Sequence, residues 1–471
     1  MRTRLPRPAI APIATIVGVR QRHTRTERHP RLAASSFTRQ QTLLMTLRSH
    51  FAVLLVAAAV FACSTEAVIP VTPTPTPITP TPNLTCIAAP APTGPVSALT
   101  MTVLGRGNCK PIRTSAEIYV RGNTAYTTTW GNSTTAASAF YIWDVAGNTP
   151  LLLDSVKVDS SRTLGDVAVS DDGTLLIVAT ESTGSLVIYS LADPRKPVRV
   201  SRYAAAPLPL GVHTAEIGRV NGKLYGFLCI DQGSGVASQL VIVDLSNPVA
   251  PQQVFVKTLG RPVVHDTFVR DGLLYLALWN DGVAIWDIGG GGKGGTVAAP
   301  VELGRVQTVN GEVHNIWWLG DPVTGSTRYA FIGEEGFGSI GVSSVGDVHV
   351  VDVSDRSAPR EVAFYTVAGA GTHNFSVDEP NGILYAAYYN GGVRALDVRG
   401  DLATCTDAQK STPANSSVLL CDLRKMGREI GIGLLDRGNP VYIWGVQYLS
   451  GAVYASDMVN GIWKLRPATR P

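Results

Sequence analysis

Short apolar strands recur along this chain at intervals no helix could use. One pattern is a run of four or five apolar residues ending in Asp or a small polar residue. It appears as FYIWDV (140–145), LVIYSL (186–191), LVIVDL (240–245), VAIWDI (283–288), VHVVDV (348–353) and VRALDV (393–398), with a degenerate seventh copy, GIWKLRP (461–467). Before each copy lies a Gly- or turn-centred hairpin ending in an apolar strand: RGNTAYTTTW, DDGTLLIVAT, NGKLYGFLCI, DGLLYLALWN, STRYAFIGEE, NGILYAAYYN and SGAVYASDM. Several copies are followed by a Pro-bounded turn and another strand. Each unit therefore reads as four short strands over about 52 residues, close to a propeller blade. No helical periodicity of useful length occurs outside one N-terminal apolar run.

The pattern predicts an all-β fold, a seven-bladed β-propeller with four-stranded blades over residues 98–467. Residues 468–471 form a short tail. The seventh unit lacks an outer strand after Leu465. ALTMTVLGRG (98–107) supplies one, because its Leu-Gly-Arg matches the outer strand VELGR (301–305). The N-terminal strand is thus expected to close the last blade and leave no open edge.

At LVIVD (240–244) the sequence resembles the LVIVD-repeat β-propeller family, more narrowly its exported choice-of-anchor lipoprotein members. The resemblance spans nearly the whole body and rests on seven copies. It implies a seven-bladed propeller on the bacterial envelope and little about activity.

Composition changes the picture at the N-terminus. Residues 1–62 hold ten Arg against one Glu, and the rest of the chain holds 30 basic against 35 acidic residues. The formal charge of +4 therefore belongs to the leader, and the mildly acidic body shows no basic stripe for nucleic acid. From Met45 the chain reads as a signal peptide (45–62), with Arg48 before an unbroken apolar run from Phe51 to Ala62, too short to span a bilayer. Cys63 follows Ala62 as in a bacterial lipobox, although Phe61 is larger than that pattern prefers. The Pro/Thr-rich stretch VIPVTPTPTPITPTPN (68–83) suits an extended tether, so 63–97 is read as lipidated Cys and stalk. Residues 1–44 precede a complete signal and are read as a non-native or leader extension. The expected address is export with a lipid anchor in the bacterial membrane, at the outer membrane or cell surface, because Ser64 and not Asp follows Cys63.

Export permits disulfides. Cys86 with Cys109, and Cys405 with Cys421, bracket local segments and are expected to pair; Cys229 sits in the apolar run LYGFLCI as a buried thiol. No CxxC motif occurs, which leaves zinc-ribbon and thioredoxin chemistry without support. GGGGKGG (289–295) is not followed by the Ser/Thr and helix of a phosphate loop and reads as a flexible loop. No GxSxG is present, and no nucleophile pattern names a reaction.

Four histidines share one repeat position at the start of successive first strands: His213 (VHTAEI), His265 (VHDTFV), His314 (VHNIWW) and His373 (THNFSV). Ala116, Gly165 and Trp444 hold the position elsewhere. First strands of a propeller are innermost, so all four imidazoles are expected at one mouth of the channel. Second strands return to that mouth and end in Glu181, Asp231, Asp281, Glu334 and Glu335, among others. Histidine with carboxylate is the ligand set of Zn, Fe(II) and Mn sites. Two readings follow. In one, the protein is a monomeric binding or scaffold propeller whose partner is an envelope protein or glycan, and the histidines lock blade to blade. In the other, it is a metal-dependent enzyme centred on the histidines.

Overall fold

The computed structural model describes residues 99–470, other than 112, 132–138, 182–183, 205–210, 231–236, 322–323, 337–343 and 435–439. Cys63, Cys86, Asp231 and the leader, signal and tether segments lie outside the described residues.

Strand β1 (Val103–Arg106) comes first. Blade 1 is β2–β5 (Thr114–Arg121, Thr124–Trp130, Ala139–Asp144, Leu151–Lys157), and blade 2 is β6–β9 (Val167–Val169, Leu175–Thr180, Ser185–Ser190, Val198–Tyr203). Blade 3 is β10–β13 (Val212–Val220, Lys223–Ile230, Gln239–Asp244, Gln252–Thr258), and blade 4 is β14–β17 (Asp266–Arg270, Leu273–Ala277, Val283–Asp287, Val301–Val306). Blade 5 is β18–β21 (Val313–Trp318, Tyr329–Glu334, Val348–Asp352, Arg360–Tyr365). Blade 6 begins with β22–β24 (Phe375–Asp378, Ile383–Ala387, Val393–Asp397) and, after an insertion carrying β25 (Lys410–Ser411) and β26 (Leu420–Asp422), ends in β27 (Glu429–Gly433). Blade 7 is β28–β30 (Ile443–Leu449, Ala452–Asp457, Gly461–Leu465) plus β1, in the order β1-β30-β29-β28.

The N-terminal closure is therefore real: Val103 faces Leu465 and Arg106 faces Trp463 across an antiparallel ladder. The shared Leu-Gly-Arg has a structural cause. Leu104 and Leu303 are the extra residues of matching bulges, one in β1 and one in β17. A Cβ on the following glycine would lie 2.4 Å from the Asn148 carbonyl oxygen at Gly105, and 2.1 Å from that of Arg356 at Gly304. In both places the turn of the next blade presses on the bulge, so only Gly fits. All seven pairings of third and outer strands carry such an irregularity, which adds local twist.

Apolar side chains on both faces of each blade explain the low charge of the repeat. Leu240, Val241, Ile242 and Val243 are all fully buried. Leu240 and Ile242 pack into the core shared with blade 4, while Val241 and Val243 pack toward blade 2. Seven such cores occur, one at every blade–blade interface, including that of blades 7 and 1 (Ile118, Trp143, Tyr454, Ile462). Each buried aliphatic side chain contributes about 1.5–3 kcal/mol, so the ring is held by its interfaces.

The Asp that ends five of the seven third strands is a turn device. Asp144, Asp244, Asp287, Asp352 and Asp397 each accept the N–H of the residue two further on. Asp287 goes further and corrects the expectation of a flexible glycine loop. Its carboxylate accepts N–H bonds from Gly289, Gly291, Lys293 and Gly295 at 2.7–3.1 Å, so the loop is wound around it. Burial would raise its pKa, but these four donors hold it down to about 2.

The insertion of blade 6 crosses to blade 5. There β26 adds in parallel to β21, making a six-stranded sheet, and a Cys405–Cys421 disulfide fastens it. Cys109 is also disulfide-bonded, and Cys229 is a buried thiol.

Candidate functional site

The repeat position at the channel mouth is occupied in blade order by Ala116, Gly165, His213, His265, His314, His373 and Trp444. Blade 2 carries Gly because a Cβ at 165 would sit 2.1 Å from the His213 carbonyl oxygen. The four imidazoles form a continuous arc. Ring centroids are 4.4 Å apart for His213–His265, 4.0 Å for His265–His314 and 4.1 Å for His314–His373. Trp444 continues the arc 4.4 Å from His373. His265, His314 and His373 are buried, and His213 is 30% exposed at the open edge.

The nitrogens face specific partners. His265 Nδ1 lies 3.0 Å from the His314 carbonyl oxygen, which can only accept, so Nδ1 carries the proton. His213 Nδ1 lies 3.2 Å from Glu181 Oε1. The Nε2 atoms of these two rings are 2.8 Å apart. His314 Nε2 is 3.4 Å from Glu335 Oε2, yet neither ring nitrogen of His314 has a hydrogen-bond partner, nor does Nδ1 of His373. Burial holds the pKa of His265, His314 and His373 well below 6.5, reinforced by their histidine neighbours, so these rings are neutral.

The expected carboxylates divide. Glu335 reaches the mouth, where it accepts a hydrogen bond from the Tyr389 hydroxyl. Glu181 also reaches it. Asp281 turns to Arg261, 2.6 Å away. Glu334 turns the other way from Glu335 and meets His349 Nε2 at 3.0 Å. Asp281 and Glu334 therefore belong to other contacts than the histidine arc, because neighbouring residues of a strand point to opposite faces.

Blade locking falls mainly to the next residue along, where blades 1 to 6 carry Glu117, Asp166, Thr214, Asp266, Asn315 and Asn374. Asp166 accepts the N–H of Ala215 at 3.0 Å, and the Thr214 hydroxyl donates to the His265 carbonyl. Asn315, oriented to suit its neighbours, donates to the His373 carbonyl and accepts from the Phe375 N–H. Asn374 donates across the channel to Glu117. Of the four histidines, His265 shares this role through its Nδ1.

Glu117, Asp166, Asp266 and Asn374 line both a small pocket at the histidine arc, of about 30 Å³, and a larger axial cavity of about 380 Å³. The larger cavity adds Glu216, Tyr119, Phe268, Trp317 and Tyr448. Burial, with help from Asp166, pushes Glu117 and Glu216 up to about 8. Asp166 and Asp266 are raised by burial as well. Arg270, the single basic residue among those lining the cavity, is held by Glu379 at 2.7 Å and by the Trp318 carbonyl. The repeat pattern alone does not mark this carboxylate belt, although Glu117, Asp166 and Asp266 each directly follow the histidine register.

The LVIVD repeat signature matches residues 235–256 and 342–367, which cover the third and much of the outer strand of blades 3 and 5. No curated protein shows a match to the sequence. The chain is similar in fold to the WD40 repeats of RRP9, at 12% identity and TM-score 0.51, with 80% of this chain and 99% of that one covered. U3-55K is similar at 11% identity and TM-score 0.52, with 79% and 99% covered. At such identities the likeness concerns architecture alone. The chain is a seven-bladed β-propeller repeat protein that carries LVIVD repeats.

Proposed function

We propose that this protein is an exported, lipid-anchored propeller of the bacterial envelope that acts as a binding module and takes a cationic group into its axial channel. The cavity carries this reading. Glu117, Asp166, Glu216 and Asp266 surround one volume of about 380 Å³ whose single base already belongs to Glu379. An ammonium group entering it would restore the charge that burial removes from these acids, and Tyr119, Phe268, Trp317 and Tyr448 offer aromatic faces to its carbon chain. A lysine of an envelope protein or an amino sugar of an envelope glycan carries such a group. The address rests on the lipobox at Cys63 and the Pro/Thr tether.

Calorimetry with 1,4-diaminobutane, against butane-1,4-diol as a neutral control, tests the ligand class. The diamine is expected to bind and the diol not, with at least tenfold weaker binding in Glu216→Gln. Equal binding of both, or of neither, overturns it. Cys63→Ala is expected to release the protein from the membrane fraction, and a variant still sedimenting with membranes overturns the anchor.

A further inference from the structure

We infer that the histidine mouth binds one divalent transition-metal ion through Nε2 of His213, His265 and His314 and Oε2 of Glu335. This goes beyond the binding module proposed above and does not depend on its ligand.

His265 Nδ1 faces a carbonyl oxygen and donates to it, which leaves Nε2 as the ring atom turned toward His213. The Glu181 carboxylate 3.2 Å from His213 Nδ1 favours a proton there too. The two Nε2 atoms lie 2.8 Å apart, a spacing that needs a proton on one of them or a cation between them. A proton or a metal ion would serve.

The surrounding groups decide between them. A bridging proton would satisfy only this pair. His314, 2% exposed, would keep two buried nitrogens without partners, and Glu335 Oε2 would remain 3.4 Å away outside hydrogen-bond geometry. Buried polar atoms left unmade cost about 1–3 kcal/mol each. A metal ion would give His314 Nε2 and Glu335 Oε2 a partner and leave Nδ1 as the one unpartnered nitrogen of His314.

The spacings suit that use. Ligand atoms about 2.1 Å from one ion are about 3.0 Å apart at a right angle and about 3.4 Å apart at a tetrahedral angle. The observed pairs are 2.8 Å for His213–His265 and 3.4 Å for His314–Glu335. The ligating atoms of His265, His314 and Glu335 all lie within 4.8 Å of one another. A pocket of about 30 Å³ has room for an ion but not for a bulky ligand.

Outer contacts complete the case. Glu181 faces His213, a backbone carbonyl holds His265, and the Tyr389 hydroxyl donates to Glu335. Carboxylate, carbonyl and hydroxyl partners of this kind orient metal ligands. A ligand set of three imidazoles and one carboxylate, with no thiolate, favours Zn(II), Fe(II) or Mn(II).

The test uses protein purified without a polyhistidine tag, stripped with chelator and titrated with Co(II) as a spectroscopic probe. One Co(II) per chain, with visible ligand-field bands and displacement by Zn(II), is expected. His314→Leu and Glu335→Gln should each weaken binding at least tenfold. Asp281→Asn, whose carboxylate pairs with Arg261, should leave it unchanged. Circular dichroism checks the fold of each variant, and should His314→Leu fail to fold, Glu335→Gln and the wild-type stoichiometry decide. Folded wild-type protein that takes up no stoichiometric Co(II), or binding untouched in the folded ligand variants, overturns the site.

Discussion

Two buried histidine environments sit in one propeller and hold their protons in opposite ways. His349, fully buried in β20, lies between Glu361 at 2.7 Å and Glu334 at 3.0 Å. Burial alone would strip its proton, but the two carboxylates push it up to about 10. His265 and His314 are also buried, yet their nearest neighbours are other imidazoles, and they are neutral. Burial opposes charge in both places, and the partners determine the outcome. His349 is thereby a structural cation locked within blade 5. At the mouth, His265 is held by a backbone carbonyl and by His213, whereas neither ring nitrogen of His314 has a hydrogen-bond partner.

The largest test of this contrast is His349→Leu. It leaves Glu334 and Glu361 buried beside each other with no cation, and should cost about 3–5 kcal/mol in a denaturant titration. A loss below about 1 kcal/mol would mean that the triad is not the strongly coupled pair of ion bonds described.

Glu216 gives an intermediate effect and the opposite sign to an ordinary surface acid. Its folded pKa of about 8 exceeds the unfolded value of 4.5, so the folded state holds the extra proton. Its stabilising share is complete below pH 4.5 and lost as pH rises through 8. Glu216→Gln mimics the protonated acid at every pH. Its melting temperature should therefore gain on wild type by a few degrees between pH 5 and pH 8. A difference that stays flat would place the carboxylate in open solvent.

The smallest effect is expected at His314→Leu in metal-free protein. No hydrogen bond is lost, so stability should be unchanged or higher by about 1 kcal/mol, against the large loss at His349. The comparison sharpens in acid. A histidine free in the unfolded chain titrates near 6.5 and His314 well below it, so its share of stability is present above pH 6.5 and falls away below. Chelator-treated His314→Leu should accordingly lose less melting temperature than wild type between pH 7 and pH 5.

The ring itself was legible because each blade repeats the same local instructions. The seven Asp-ended or degenerate strands mark third strands, and the Leu-Gly-Arg of residues 104–106 marks the closing strand, since both reflect contacts made identically in several blades. The histidine register was legible for the same reason. What the pattern could not resolve is direction within a strand end. Glu334 and Glu335 are adjacent, and only the placement of His349 behind one of them separates structural ion pair from mouth ligand. The crossing of β26 to blade 5 was also hidden, because a parallel pairing between blades leaves no periodic signal in a polar insertion. The acid belt was visible only as residues, since an Asp or Asn after the histidine register can equally line a channel or cap a turn.

The most direct measurement is anomalous diffraction from crystals of protein purified without added metal or tag, collected at the Zn, Fe and Mn edges. The account predicts one anomalous peak per chain at the mouth, about 2.0–2.2 Å from Nε2 of His213, His265 and His314 and from Oε2 of Glu335. A well-ordered mouth with no anomalous peak there, and His213 and His265 joined by a hydrogen bond, would contradict it.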